Sequence, residues 1–340
     1  MNEKVSRRDF LRLGTLGAAG LAGASVLAAS QIEHQTSTQE TNHSRLEHDH
    51  AGVVGRVDPA RNGFDPIALL TEFDYGQVSR LENGQTLREY TLVAFDKEIE
   101  VAPGVFFPAW TYNGRVPGPT IRCTEGDRVR VRFVNAGTHP HTIHFHGVHI
   151  AEMDGVPGIG PGMIAPGEST TYEFDAEPFG CHPYHCHAVP LKRHIHKGLY
   201  GAFIIDPKEG RPLARELVMV MNGFDTNFDG ENEIYAVNTV AFELMQRPIA
   251  IQLNELVRVY LINMTEFDPL NSFHLHGGFF WWYPTGTSLE PSEYTDIVML
   301  TQGQRGILEF RYKFPGKYMF HAHQSEFAEL GWMGFFEVTP

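Results

Sequence analysis

Cysteine is scarce in this chain: Cys123, Cys181 and Cys186 are the only three among 340 residues. So few cannot build a disulfide scaffold. Basic residues are outnumbered as well, 27 Lys and Arg against 41 Asp and Glu, giving a formal net charge of −14. That balance argues against a nucleic-acid partner and mildly attracts cations. Past the amino-terminal region, no stretch approaches the roughly 18 apolar residues that a membrane-spanning helix needs. Also missing are a Gly-rich phosphate loop and a nucleophile elbow, which removes the commonest nucleotide and acyl-transfer readings.

What the chain has is histidine, in pairs. His144/His146, His185/His187, His274/His276 and His321/His323 are each separated by one residue. Successive side chains of a strand point to opposite faces, so each pair places two imidazoles on one face. Eight converging imidazoles exceed what one zinc ion needs and suit a cluster of several redox metals. Cys186 lies between His185 and His187 and must face the other way, toward a second, separate metal. His141 precedes His144 by three, an odd offset, so it also faces away from its pair and can meet Cys186. His194 is available as a third ligand, and Leu199 follows it by five. His196 shares the parity of His194 and competes with it for that role.

Hydrophobic residues make up 42% of the chain and charged ones 20%, an ordinary globular mix. The 34 Gly, 21 Pro and 24 Phe, spread through short Val/Ile/Phe-rich runs, favour many short strands over helices. The run from Gly126 to Asn135 aligns with that from Asn254 to Asn263. A His-x-His-Gly follows each about ten residues on, His144–Gly147 and His274–Gly277. His185-Cys186-His187 closes the first copy and His321-Ala322-His323 the second. The expected fold is therefore all-β, two tandem Greek-key β-sandwich domains, over 64–209 and 210–340. In the second copy Asn271, Ala322, Phe327 and Trp332 stand where the first has His141, Cys186, His194 and Leu199. Only the first copy keeps the sulfur site.

Ahead of these domains, Ser6-Arg7-Arg8-Asp9-Phe10-Leu11-Arg12 precedes a weakly apolar run to Ala29 and resembles a twin-arginine export signal over 1–30. It implies a periplasmic or other extracytoplasmic location. Residues 31–63 are polar and contain His34, His43, His48 and His50, as expected of a disordered linker. If Cys186 holds metal, Cys123 and Cys181 are left as a candidate bridge or as two buried thiols. The run from Asp225 to Gly230 resembles the opening of a calcium loop, but Ala236 occupies the twelfth position, so a polar turn is the better reading. His139, His149 and His182 read as supporting or surface residues rather than ligands.

Taken together, the four His-x-His motifs and the flanked cysteine resemble the multicopper oxidase family, specifically its two-domain, laccase-like members with a blue copper in the first cupredoxin-like domain. The resemblance covers roughly residues 85–340. It implies that His141, Cys186 and His194 hold a type 1 copper, with leucine at position 199 where many members have the weak axial methionine. It implies type 2 ligands at His144 and His274. His146, His185, His187, His276, His321 and His323 would hold the type 3 pair, making four coppers per subunit. Asp154 matches the family's supporting aspartate, and Glu326 is a second candidate proton donor. The implied activity is one-electron oxidation of a phenol, aromatic amine or metal ion, coupled to four-electron reduction of O2 to water. The implied assembly is a homotrimer whose cluster forms between subunits. The lack of a methionine-rich insert weakens a dedicated cuprous oxidase. A copper nitrite reductase, or a non-enzymatic copper carrier, are the rival readings.

Overall fold

The computed structural model describes residues 55–340, so the export signal and most of the linker lie outside the described residues. Four antiparallel-rich sheets carry nearly all of the regular structure. The first contains Phe73–Asp74, Thr120–Thr124, Tyr200–Asp206, Gly180–His185 and His144–Phe145, in that order. It faces a sheet of Gln77–Arg80, Thr86–Ala102, Arg128–Asn135 and Ser169–Asp175, with Val105–Tyr112 paired to Thr86–Ala102. The remaining two sheets repeat the scheme with residues 215–339. No helix among the described residues is long and apolar enough to cross a membrane.

The repeat holds at the level of register. Arg128–Asn135 pairs antiparallel with Ser169–Asp175, as Val257–Asn263 does with Arg305–Phe310. His144 lies opposite His185, and His274 lies opposite His321. Two copies of a cupredoxin-like sandwich are the architecture, as the repeated motifs predict.

Burial differs between the copies for a physical reason. In Arg128–Asn135, buried Val129, Val131 and Phe133 alternate with partly or fully exposed arginines. The matching strand Val257–Asn263 is buried at every position. One face, with Val257, Val259 and Leu261, fills the core of its own sandwich. The other, with Tyr260 and Ile262, packs into a shared seam with Val218, Val220, Ile99, Phe107 and Ile204. Each such aliphatic or aromatic side chain removed from water contributes about 1.5–3 kcal/mol. Charges cross the same region: Arg122 reaches Asp206 at 2.8 Å and Glu216 at 2.7 Å, and Arg258 reaches Glu309 at 2.6 Å.

Two expectations change here, and one alternative is decided. The last part of the linker is ordered: Pro59–Asn62 is a short helix, Val57 and Asn62 are buried, and Asn62 exchanges hydrogen bonds with the backbone of Glu100. Cys123 and Cys181 are free thiols. They pair with Ile205 and Ile204 on opposite sides of the same strand, Tyr200–Asp206, and face different cores, so no bridge can form between them. The segment after Cys186 is a helix, Leu191–His196, and alternation does not govern it. His194 and His196 therefore diverge.

Candidate metal centre

Strand alternation divides the ligand candidates between two faces. Phe145 and Cys186 point inward and are fully buried, while His144 and His146 lie at the partly exposed edge. His141, Cys186 and His194 gather at the inner end of the first sandwich. The Nδ1 atoms of His141 and His194 are 3.2 Å apart, and the Cys186 Sγ is 3.2 Å from that of His194 and 4.0 Å from that of His141. Burial pushes His141 down to about 3, helped by His194 beside it, and His194 down to about 4. Both are thus neutral lone-pair donors near pH 7. Burial raises the Cys186 thiol to about 11. The backbone N–H of Thr142 donates to its sulfur at 3.3 Å. The indole of Trp110 lies 5.1 Å from the His141 ring and 4.8 Å from that of His194.

Leu199 is fully buried against this set. Its N–H donates to the carbonyl of His194 at 3.3 Å, and its carbonyl accepts from Cys186 N at 2.9 Å. The second sandwich reproduces those bonds, Trp332 N to Phe327 O and Ala322 N to Trp332 O. There the space is core: Trp332 is fully buried and meets Phe273 and Phe320 edge-on. His196 takes no part in the sulfur site. Its Nε2 accepts from Asp225 N at 3.2 Å, and its ring is packed by Phe107 and Phe267.

On the opposite side of the sheet, His144, His146 and His185 form one set, and His274, His276 and His321 a matching set in the second sandwich. The Nε2 atoms of His146 and His185 are 2.8 Å apart, and those of His276 and His321 are 3.0 Å apart. Backbone carbonyls fix these rings, since His185 Nδ1 meets its neighbour's oxygen at 2.9 Å and His321 Nδ1 at 2.6 Å. With Nδ1 donating, the Nε2 of His185 and of His321 turns its lone pair toward the Nε2 of its partner histidine, where a shared cation can be held. His187 and His323 complete the sets, their rings 5.4 Å and 5.3 Å from His144 and His274. The buried Nδ1 of His187 has no hydrogen-bond partner. Burial lowers His146 to about 2, with His185 adding to it, and His185 to about 4. Imidazole and thiolate donors in these patterns fit copper.

Asp154 is where the sequence places it, with Oδ1 2.8 Å from His144 Nδ1 and 3.5 Å from His149 Nε2. Glu326 is exposed on the helix Ser325–Glu329, into which the chain turns directly after His323, and among the described residues it forms no hydrogen bond or ion pair with a histidine. The acid beside His274 is Asp296, whose carbonyl is 2.9 Å from His274 Nδ1 and whose carboxylate is 3.7 Å away. Sequence reasoning missed Asp296, which arrives from a different strand pair. It also missed Thr142 and Ser272, whose hydroxyls accept from the N–H of His187 and His323, each at 2.8 Å. Both precede the first histidine of a pair by two residues, a signal the aligned repeat already contained. His139 stacks on Trp110, and His182 is buried at Pro178 O, each in a supporting place. The turn at Asp225 is held by its own backbone: its carboxylate accepts from Asp229 N and Gly230 N.

Among the described residues, no hydrogen bond or ring contact joins a histidine of the first set to one of the second. His276 and His323 are exposed.

Two family models, both described as multicopper oxidase, match residues 96–210 and 211–340. A solved structure described as a multicopper oxidase is 62% identical, with a TM-score of 0.82, covering 84% of this chain and all of that one. The blue copper oxidase from Nitrosomonas europaea is 30% identical with a TM-score of 0.66, over 74% of this chain and 86% of that one. The copper-containing nitrite reductase of Neisseria meningitidis serogroup A is 31% identical over 249 residues, 67% of this chain. The match spans 63% of that reductase. The chain belongs to the multicopper oxidase family, and it is an oxidoreductase of cupredoxin architecture.

Proposed function

We propose that this chain is one subunit of a trimeric oxidase that takes single electrons from an organic or metal-ion donor and reduces O2 to water. The observation that carries the reading is the duplicated Nε2 convergence, His146 with His185 and His276 with His321. A mononuclear nitrite-reducing site needs about three histidines, and an electron carrier needs only the His141, Cys186 and His194 set. Bound copper would supply one-electron transfer at the sulfur site and dioxygen reduction at the histidine cluster, with four ions per subunit. His141, Cys186 and His194 would hold the first, and the eight paired histidines the other three. In this reading Cys186 joins the two centres covalently, because His185 and His187 are its chain neighbours on the opposite face. Asp154 orients His144 through its carboxylate. For a phenol donor the balance is four phenols and one O2 giving four phenoxyl radicals and two waters.

Each sandwich presents half of the cluster and carries exposed apolar side chains. Ile150, Met163 and Val189 are exposed in the first, and Leu270, Ile297 and Met299 in the second. Exposed apolar side chains of this kind fit a subunit contact. A ring closed by packing the first sandwich of one copy on the second of the next would complete the centre. The arginine pair near the amino terminus supports export by the twin-arginine route to an extracytoplasmic compartment.

Oxygen uptake by the purified, copper-loaded protein with a donor panel tests the reading, alongside copper content, light scattering and nitrite turnover. Four coppers per chain, a trimer and oxygen consumption are expected. Nitric oxide production from nitrite without oxygen uptake would reverse it, and one copper per chain would favour the carrier.

A further inference from the structure

A cavity of about 620 Å³ opens at the seam between the sandwiches, beside the helix that carries His194. Its walls include Lys192, Arg193, His196 and Lys197 on one side and Phe228 and Phe267 on the other. The volume suits a single-ring organic molecule with substituents. In a chain of net charge −14, three cations line one pocket.

Those cations are unpaired. Among the described residues, Lys192, Arg193 and Lys197 form no salt bridge. They sit instead over aromatic rings: Lys192 Nζ 4.2 Å from the centre of Phe267, Arg193 5.2 Å from Trp110, and Lys197 5.0 Å from Phe107 and 5.1 Å from Phe228. Lys197 is only 7% exposed, and among the described residues its ammonium makes no hydrogen bond or ion pair, Asp96 being the carboxylate whose charge reaches it. A cation packed among aromatic rings with no carboxylate in direct contact favours an anionic ligand. The pocket's own carboxylates, Asp225 and Asp229, form no ion pair with any of the three cations. Asp225 accepts from Asp229 N and Gly230 N, and Asp229 from Glu231 N. The faces of Phe228 and Phe267 offer a stacking surface for a planar ring.

We propose that this pocket binds the reducing substrate and selects aromatic donors bearing a carboxylate, the phenolic acids, with Lys197 and Lys192 holding the carboxylate and Phe228 and Phe267 the ring. The proposal rests on the oxidase reading and narrows its donor class. With three cations against the two carboxylates of Asp225 and Asp229, the pocket keeps a net positive charge, which disfavours a cuprous, ferrous or manganous donor. Trp110 touches both the cation cluster, through Arg193, and the rings of His141 and His194, so the seated donor lies one side chain from the sulfur site. Each phenolic acid gives up one electron and its phenolic proton, and its carboxylate is unchanged.

The experiment compares 4-hydroxy-3,5-dimethoxybenzoate with its methyl ester as donors for the copper-loaded enzyme. Binding of 3,4,5-trimethoxybenzoate and the neutral trimethoxybenzamide, neither bearing a phenol, is measured separately by calorimetry. The acid should exceed the ester at least tenfold in kcat/KM, and the benzoate should bind at least tenfold tighter than the benzamide. Lys197→Gln should collapse both ratios while Lys197→Arg retains them, and the exposed Lys192→Gln should reduce them if Lys197→Gln does not fold. Equal handling of acid and ester together with equal binding of benzoate and benzamide overturns the proposal, as does faster turnover of Fe(II) or Cu(I). Selective benzoate binding by a protein that consumes no oxygen with any donor would uphold the pocket while removing the oxidase reading.

Discussion

Asp154 and Asp296 stand at equivalent places in the two sandwiches, yet their carboxylates do different amounts of work. In both cases the residue's own carbonyl lies 2.9 Å from the Nδ1 of the first paired histidine. Replacing either aspartate by alanine keeps that bond and removes only the carboxylate. For Asp154 the lost contact is a 2.8 Å hydrogen bond that also draws on His149. For Asp296 it is a 3.7 Å approach, beyond hydrogen-bond length. Loss of an oriented partner on a metal-binding histidine lowers metal affinity about 10–100-fold. Because the carbonyl persists, Asp154→Ala belongs at the low end, about tenfold or about 1.4 kcal/mol. Asp296→Ala should cost no more than about twofold. Copper titration of depleted protein against a competing chelator, with the type 2 paramagnetic signal as the site-specific readout, measures both. A larger loss from Asp296→Ala, or none from Asp154→Ala, would refute the argument that carboxylate distance sets the effect.

Three further outcomes follow from the same geometry. Cys186→Ser should abolish the blue absorption while the copper bound by the paired histidines stays within about a third of its original amount, because serine offers no soft thiolate and faces away from them; cluster copper lost in parallel, by elemental analysis, would contradict that separation. Leu199→Met should lower the reduction potential of the sulfur site, read by redox titration of the blue band, since a thioether at this buried position donates where leucine cannot; an unchanged potential would mean that another group faces the axial direction. Copper-free protein should weaken toward acid. His141, His146, His185 and His194 have folded values of about 2–4, below the unfolded value near 6.5, so the unfolded chain binds more protons between those limits. Stability is therefore full above about pH 6.5 and falls as pH drops toward 4, by about 2 kcal/mol for each such imidazole between pH 6.5 and 5. Urea midpoints that stay level from pH 7.5 to 5.0 would show that these rings are already charged in the native state.

The sequence by itself determined the repeat, the sandwich class and the division of ligand candidates between two faces. It could do so because alternation along a strand is local: 144 and 146 share a side, 185 and 187 share a side, and Cys186 opposes its two neighbours, whereas the pairing of His144 with His185 is what brings the two pairs together. The same argument failed at His194 and His196, which lie on a helix, and Glu326 is exposed on another short helix. Tertiary structure alone decided which residues support the histidines from elsewhere. Asp296 reaches His274 through the pairing of Leu270–Leu275 with Ile297–Thr301, a long-range contact that no spacing announces. It also decided that Cys123 and Cys181 sit on either side of one strand, facing different cores, and that the outer face of Val257–Asn263 is buried in a seam. The cationic cavity exists only because that seam brings the helix Leu191–His196 against Phe228 and Phe267, residues more than thirty positions away in the chain. Periodicity fixes the direction in which a side chain points; only packing fixes what it meets there.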